Sequence, residues 1–408
     1  MIGRVFMKKR NIKLDFVLNI VASLLSTGTM QLLIYPRLAV KLSGEEYGLL
    51  LTVMGWVNVI TLSLGNNLCN LRLLKDRSYD DKFKGEFNVL LLIALAISAI
   101  VTTVLGIVYE YNWLIILLLI LATLLTVMRT YFTAEFKINI DYVNILIENL
   151  IVAIGYGIGA FLLLEFLPWP LVFAFANFVG LVYMFFKTKI VKEKMCISTT
   201  FKATLFSFIA LILSGLIGNL TTYLDRFIIY PILGGAAVSV YSTAVYFAKT
   251  FNLILAPITS VLLSYLTQGK IKLNSKMFLT INFVIALMSG FFVLISITLG
   301  DFVLSFLYPQ FIVDAREFEL LGSIAILVGT ASSFLNVIIL FLAKTYWQTI
   351  LSAIKIVIYL VFGYIFTKCF GVLGMLLAVL ITNSAIYMIS FILSICFIKR
   401  CNQEENVK

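Results

Sequence analysis

Residues 204–249 read TLFSFIALILSGLIGNLTTYLDRFIIYPILGGAAVSVYSTAVYFAK. An apolar segment, 204–224, runs into Asp225-Arg226 and a glycine-rich turn, and a second apolar segment then carries Lys249 in its interior. Polar residues recur at spacings of about three and four in both segments, which places them on one face of each predicted helix. Ionisable residues at membrane depth normally face a water-filled cavity or a partner. The stretch therefore predicts two adjacent membrane helices that border a polar cavity.

The composition of the whole chain supports a membrane location. The 408 residues are 62% hydrophobic and 12% charged, with a mean hydropathy of +1.06. A soluble chain could not bury that much apolar surface, so we predict a polytopic membrane protein. Histidine, the commonest general base and metal ligand, is absent, and the five cysteines lack zinc-site spacing. The composition thus predicts neither a catalytic residue nor a metal site.

Apolar runs long enough to cross a hydrocarbon core of about 30 Å recur along the chain. There are twelve, at 14–35, 48–66, 88–109, 113–132, 143–165, 169–186, 204–224, 237–266, 277–299, 318–342, 346–366 and 371–398. We predict an all-α polytopic protein with about twelve transmembrane helices in two pseudo-symmetric six-helix lobes. The lobes comprise residues 1–186 and 204–408, and a basic cytoplasmic loop at 187–203 joins them.

The distribution of basic residues predicts the orientation of these helices. With the N-terminus in the cytoplasm, most of the 31 Lys and Arg residues fall on the inner side. The outer side receives only Arg37, Lys41, Arg226, Arg316 and Lys368. Cytoplasmic loops of membrane proteins carry such an excess of Lys and Arg, so we predict that both termini are cytoplasmic. The net charge of +11 is then a signal of topology and does not indicate nucleic-acid binding.

A short internal repeat marks the two predicted halves. LSGEEYG at 42–48 follows the first apolar segment, and LGGAAVS at 233–239 follows the seventh in the matching place. Parallel repeats related by an axis along the membrane normal are a transporter architecture with the substrate site at the repeat interface. The repeat therefore predicts a transporter.

Two stretches resemble a known family. QLLIYPR at 31–37 leads into LSGEEYG at 42–48, and DRFII at 225–229 is followed by LG and by VYSTA at 240–244. These are similar to motifs of the Wzx-type polysaccharide flippases in the multidrug/oligosaccharidyl-lipid/polysaccharide exporter superfamily, although Ser239 stands where glycine is usual. The resemblance implies a V-shaped pair of six-helix lobes in the bacterial cell membrane. It also implies export of an undecaprenyl-pyrophosphate-linked oligosaccharide, for O-antigen or capsule, together with polysaccharide assembly proteins and membrane lipids as partners.

Four basic residues are candidates for binding the diphosphate of such a substrate: Lys249, Lys355, Arg129 and Arg226. A basic residue near a helix centre costs on the order of 2.5–3.5 kcal/mol on insertion scales, so a function or a partner is expected. Lys249 could instead pair with Glu148 or extend to the inner surface. Arg129 could extend to lipid head groups, and Arg226 could form a structural pair with Asp225.

Two acids, Glu148 and Asp225, are candidates for a counter-ion or a coupling site. Proton, sodium or membrane-potential coupling all fit the sequence, and an anion moving outward gains about 2.3 kcal/mol per charge per 100 mV. No P-loop is present, so we predict a transporter without nucleotide hydrolysis and without a cofactor.

Two alternative functions stay open. A multidrug or cation exporter of the same superfamily should prefer an acidic cavity, and a membrane polymerase or acyltransferase should carry a histidine base or a large outer loop.

Overall fold

A computed structural model describes residues 12–76, 79, 83–251, 274–342 and 346–406. This described part of the chain is almost entirely helical and contains no strand. Ten of its helices are long and apolar enough to cross a membrane. Their composition explains this, because apolar runs of about 20 residues satisfy every backbone hydrogen bond internally only as helices.

Several helices continue through a π-helical turn without a break. The helices in chain order are α1 (Ile12–Thr29, then Met30–Ile34 as a π turn, then Tyr35–Lys41), α2 (Gly44–Lys75, with a π turn at Leu62–Asn66), α3 (Glu86–Val108), α4 (Trp113–Ile138) and α5 (Tyr142–Phe166, with a π turn at Gly159–Leu163). They are followed by α6 (Pro170–Lys187), α7 (Phe201–Ala244), α8 (Ser275–Ile295, then Ser296–Gly300 as a π turn, then Asp301–Leu307), α9 (Ile312–Leu342) and α10 (Tyr346–Asn406).

The two longest helices are each interrupted at one glycine. Gly234 in α7 has φ +83° and Gly371 in α10 has φ +60°. A residue with a Cβ rarely adopts these angles, so glycine permits the break. With α7 and α10 divided there, the helices account for the twelve predicted segments and the predicted fold class is confirmed. Residues 252–266 of the segment predicted at 237–266 lie outside the described residues.

The chain forms two compact units. The first unit comprises Met1–Leu38 and Trp56–Asn219, and the second comprises Ala39–Gly55 and Leu220–Lys408. Both α2 and α7 therefore contribute one part to each unit. The units follow from spatial contacts, whereas the two predicted lobes follow from a sequence repeat. The lobe division at 187–203 stays a prediction.

In the first unit, the loop at 187–203 is bound to the helices rather than free. The Arg72 guanidinium, 2% exposed, donates to Glu193 Oε1 at 2.6 Å and to the Lys84 carbonyl at 2.7 Å. The Asn88 amide donates to the Ile190 carbonyl at 2.9 Å. The Asn88 contact satisfies a backbone carbonyl of the loop, and the ion pair between Arg72 and Glu193 holds the loop against the unit.

The outer surfaces of the helices are strongly apolar. Among the residues whose burial the structure describes, five phenylalanine side chains are more than 70% exposed: Phe166, Phe186, Phe206, Phe302 and Phe306. Water would disfavour so many large apolar side chains, whereas acyl chains accommodate them. Together with the ten membrane-length helices, this surface defines a multi-pass membrane protein.

Candidate functional site

The first unit contains a buried ion pair between α4 and α5. Arg129 Nη1 donates to Glu148 Oε1 at 2.7 Å, and Glu148 is fully buried. The Asn149 amide donates to the other carboxylate oxygen at 3.0 Å, and the Ser26 hydroxyl of α1 donates to Asn149 Oδ1 at 2.7 Å. Both oxygens of Glu148 therefore have partners, as a buried carboxylate requires.

The second unit contains its own buried ion pair across the Gly234 break. The Lys249 ammonium group donates to the Asp225 carboxylate, and Asp225 is 2% exposed. Lys249 Nζ also lies 5.6 Å from the ring centroid of Tyr241, within cation–π range. Asp225 is thus the acid that pairs with Lys249. The alternative pairing of Lys249 with Glu148 was wrong, because Arg129 holds Glu148.

Arg226 is placed differently from the sequence expectation. Its backbone N–H donates to Asp225 Oδ1 at 2.9 Å, while its guanidinium Nη1 donates to the Leu51 carbonyl of α2 at 3.0 Å. The structural pair predicted for Asp225 and Arg226 is present as this backbone hydrogen bond, and the ammonium group of Lys249 binds the carboxylate from the side-chain side. The guanidinium carbon also lies 5.9 Å from the Tyr223 ring centroid. Within the described part of the chain, no acidic side chain forms an ion pair with the Arg226 guanidinium.

Lys355 on α10 has a different environment from the other deep cations. Its side chain is half-buried, and it makes no hydrogen bond or ion pair to the described residues. Tyr359, one turn further along the helix, is 6% exposed. An ammonium group that is partly desolvated and unpaired is available to a mobile anion.

The two repeated motifs contact each other within the second unit. Glu45 Oε1 and Oε2 accept the backbone N–H groups of Gly235 and Ala236 at 2.7 and 2.8 Å. The Ser239 hydroxyl donates to the Gly44 carbonyl at 2.6 Å. Glu45 therefore caps the helix that starts after Gly234, where a carboxylate is favoured by unpaired N–H groups and the helix dipole. The repeat pattern alone gave no signal of this contact.

A buried acid escaped the sequence analysis. Glu319 on α9 is 5% exposed, and its carboxyl oxygen Oε1 accepts a hydrogen bond from Ser296 at 3.2 Å. The predicted segment began at 318, which placed Glu319 at the membrane edge. The helix begins at Ile312 instead, about two turns earlier.

Among the described residues, no group of three acids or cysteines is arranged to hold a metal ion.

Comparison with known proteins finds solved structures that share this fold. Neither a protein-family model nor a curated protein matches the sequence. Among solved structures, lipid II flippase MurJ in an inward closed conformation matches with a TM-score of 0.66 at 15% identity, over 94% of this chain and 86% of MurJ. An inward-facing multidrug resistance MATE family transporter of the MOP superfamily matches with a TM-score of 0.64 at 13% identity, over 98% and 97%.

A third similar structure comes from a eukaryote. The eukaryotic MATE transporter AtDTX14 matches with a TM-score of 0.63 at 12% identity, over 97% of this chain and 98% of the transporter. Matches at such low identity establish a shared fold. The chain therefore has the fold of MATE transporters and of the flippase MurJ.

Proposed function

We propose that this chain is a flippase that moves an undecaprenyl-pyrophosphate-linked oligosaccharide from the inner to the outer leaflet by alternating access. The proposal combines the Wzx-type motifs with the likeness to MurJ, a lipid II flippase. It places the chain in the bacterial cell membrane with both termini in the cytoplasm. Surface polysaccharide assembly proteins and membrane lipids would be its partners.

The observation that carries this proposal is the unpaired charge of Lys355. Arg129 and Lys249 each have a buried carboxylate partner, whereas Lys355 has none within the described residues. A diphosphate offers the opposite charge and accepts hydrogen bonds from an ammonium group. Lys355 would therefore be the first contact for the phosphate groups.

The other deep cations would contribute as secondary contacts. Arg226 keeps an available charge because its guanidinium is bound to a carbonyl and not to an acid. Lys249 and Arg129 would reach a phosphate only when Asp225 and Glu148 release them, so these acids act as counter-ions in the proposal. Outward movement of the anion would also be favoured by a membrane potential that is negative inside.

Multidrug export is the second candidate, because two of the structures described above are MATE transporters. An exporter of organic cations needs an acid that can face its substrate. Asp225 and Glu148 are both neutralised by basic partners, and Glu319 is enclosed at 5% exposure. The free cation at Lys355 favours an anionic substrate over a cationic one.

The test uses a deletion strain of the native host complemented with wild type, Lys355→Ala or Lys355→Arg at equal membrane abundance. Surface polysaccharide and lipid-linked oligosaccharide retained on the inner leaflet are measured. We expect Lys355→Ala to lose surface polysaccharide and accumulate the lipid-linked precursor, and Lys355→Arg to restore part of the export. Arginine keeps the charge but changes its geometry.

Lys368→Ala provides the matched control, because Lys368 lies on the same helix α10 but is exposed. Its export should equal that of wild type. Normal surface polysaccharide in the deletion strain itself would contradict the flippase proposal and favour drug export. Normal export by Lys355→Ala in a strain that needs the gene would contradict the role given to this lysine.

A further inference from the structure

Glu319 differs from the buried acids Glu148 and Asp225 because serine hydroxyls lie beside it where each of those has a basic partner. The Ser296 hydroxyl donates to Glu319 Oε1 at 3.2 Å, and the hydroxyls of Ser296 and Ser323 are 2.9 Å apart. Both serines are fully buried. The carboxyl group therefore lies in a small polar enclosure between α8 and α9.

The backbone at Gly300 is shaped to admit this carboxyl group. A Cβ at Gly300 would overlap Glu319 Oε1, and it would lie 3.4 Å from the Phe247 ring. Gly300 ends the π-helical turn that Ser296 begins, and such turns are frequent at functional sites. The absence of a side chain at Gly300 thus leaves the space that the carboxyl group fills.

The charged groups near Glu319 do not neutralise it. Arg316 lies one turn earlier on α9, but its guanidinium is engaged with Asp301, with Nε 3.0 Å from Asp301 Oδ1. The Arg316 side chain is also 68% exposed. From the helical residues 246–251 that follow α7, the neighbour is the apolar Phe247 ring. Within the described residues, no cation forms an ion pair with Glu319.

A buried carboxylate without a counter-charge is strongly disfavoured, and a bound proton removes the charge. A hard metal cation would require about six oxygen ligands, more than one carboxyl group and two hydroxyls provide. We propose that Glu319, Ser296 and Ser323 form a proton-binding site that couples transport to proton movement. The coupling rests on the function proposed above, whereas the proton site stands on its geometry.

Proton binding at this site needs only a simple exchange. A proton from water forms an O–H bond at a Glu319 carboxylate oxygen, and its release restores the carboxylate. The Ser296 hydroxyl donates to the carboxylate and can rotate to accept from the protonated form, since a hydroxyl is both donor and acceptor. The change of charge beside the α8 π turn would then favour one transporter conformation over another.

The first test measures the proton directly, without any glycan substrate. Infrared difference spectra of the purified full-length protein in liposomes are recorded between about pH 5 and pH 9, with choline chloride as the salt. We expect a protonated-carboxyl band that disappears with rising pH in wild type and is missing in Glu319→Gln. Glutamine retains the size and hydrogen-bonding groups of the side chain, so the fold should be preserved. Glu317→Gln, an exposed neighbour on α9, should retain the band.

Three results would overturn the proton site. One is a titrating band that persists in Glu319→Gln, and another is a Glu319 carboxyl that does not titrate over this range. The third is loss of the band when sodium chloride replaces choline chloride at constant pH, which would make the ligand sodium.

Surface polysaccharide in the complemented strain then tests the coupling. We expect Glu319→Gln to lose the dependence of export on external pH, and Glu317→Gln to retain it. Unchanged pH dependence in Glu319→Gln would contradict the coupling. A titrating Glu319 in a protein whose deletion leaves surface polysaccharide normal would contradict the flippase function but leave the proton site standing.

Discussion

Asp225 and Lys249 form an ion pair across the Gly234 break, so one contact joins the first piece of α7 to the helical residues 246–251 that follow the end of α7 at Ala244. Asp225 is 2% exposed, and removal of Lys249 would leave its carboxylate buried and unpaired. Losing one partner of a buried pair costs about 3 kcal/mol or more. We therefore expect Asp225→Asn and Lys249→Met each to lower the thermal unfolding temperature of the detergent-purified protein.

The double variant Asp225→Asn with Lys249→Met should be more stable than either single variant, because neither charge then remains unpaired. Asp301→Asn serves as the comparison, since it breaks the more exposed pair with Arg316. Exposed pairs contribute about 1 kcal/mol or less. Additive losses in the double variant would show that the two side chains do not interact.

A substitution at Gly48 tests whether the two repeated motifs pack closely against each other. A Cβ at Gly48 would overlap the backbone carbonyl of Gly235, and a backbone cannot move aside as a flexible side chain can. We expect Gly48→Ala to lower the free energy of unfolding by about 1–3 kcal/mol, the usual range for overpacking. Chemical denaturation in mixed micelles measures this change.

Gly157→Ala is the matched control in α5, where a Cβ would meet no atom within 4 Å. Alanine is favoured over glycine in a helix by about 1 kcal/mol, so this variant should be at least as stable as wild type. Equal stabilities of Gly48→Ala and Gly157→Ala would argue against the close contact.

A substitution at Glu45 tests whether its carboxylate caps the helix that starts after Gly234. Its carboxylate accepts two backbone N–H groups, and loss of an N-terminal cap costs about 0.5–2 kcal/mol. We expect Glu45→Ala to accelerate amide hydrogen exchange in a peptide that covers residues 233–239. Glu110→Ala, an exposed acid in the loop between α3 and α4, should leave exchange in that peptide unchanged. Unaltered exchange in Glu45→Ala would show that the carboxylate does not protect these amides.

Hydropathy was sufficient to predict the helical segments, and both glycine breaks fall near boundaries between predicted segments. Gly234 lay in a predicted turn, and Gly371 stood at the start of the last predicted segment. These features depend on local composition and on the φ angle that glycine permits. The start of α9 was missed because Asp314, Arg316 and Glu317 lower the hydropathy of its first turns.

The partners of the deep charges could not be predicted from the sequence. Arg129 pairs with Glu148 and Lys249 with Asp225, and each choice depends on how two helices are rotated against each other. One residue along a helix changes the direction of a side chain by about 100°, so sequence spacing alone leaves several partners open. The enclosure of Glu319 likewise depends on the position of Gly300 on a neighbouring helix.

The orientation of the chain can be tested with a native cysteine. Cys369 is exposed beside the Gly371 break and lies on the predicted outer side, next to Lys368. We expect a membrane-impermeant maleimide to label wild type in intact cells and Cys369→Ser not at all. The loop at 187–203 should be inaccessible from outside, because its lysines predict a cytoplasmic position.

The Met195→Cys variant measures the accessibility of that loop to the maleimide, because the Met195 side chain is 58% exposed. In a background in which all five native cysteines are replaced by serine, we expect Met195→Cys to be labelled only after the cells are permeabilised. Labelling of Met195→Cys in intact cells, with no labelling of Cys369, would invert the topology. The diphosphate would then have to reach Lys355 from the opposite leaflet, so this outcome would also contradict the proposed direction of transport.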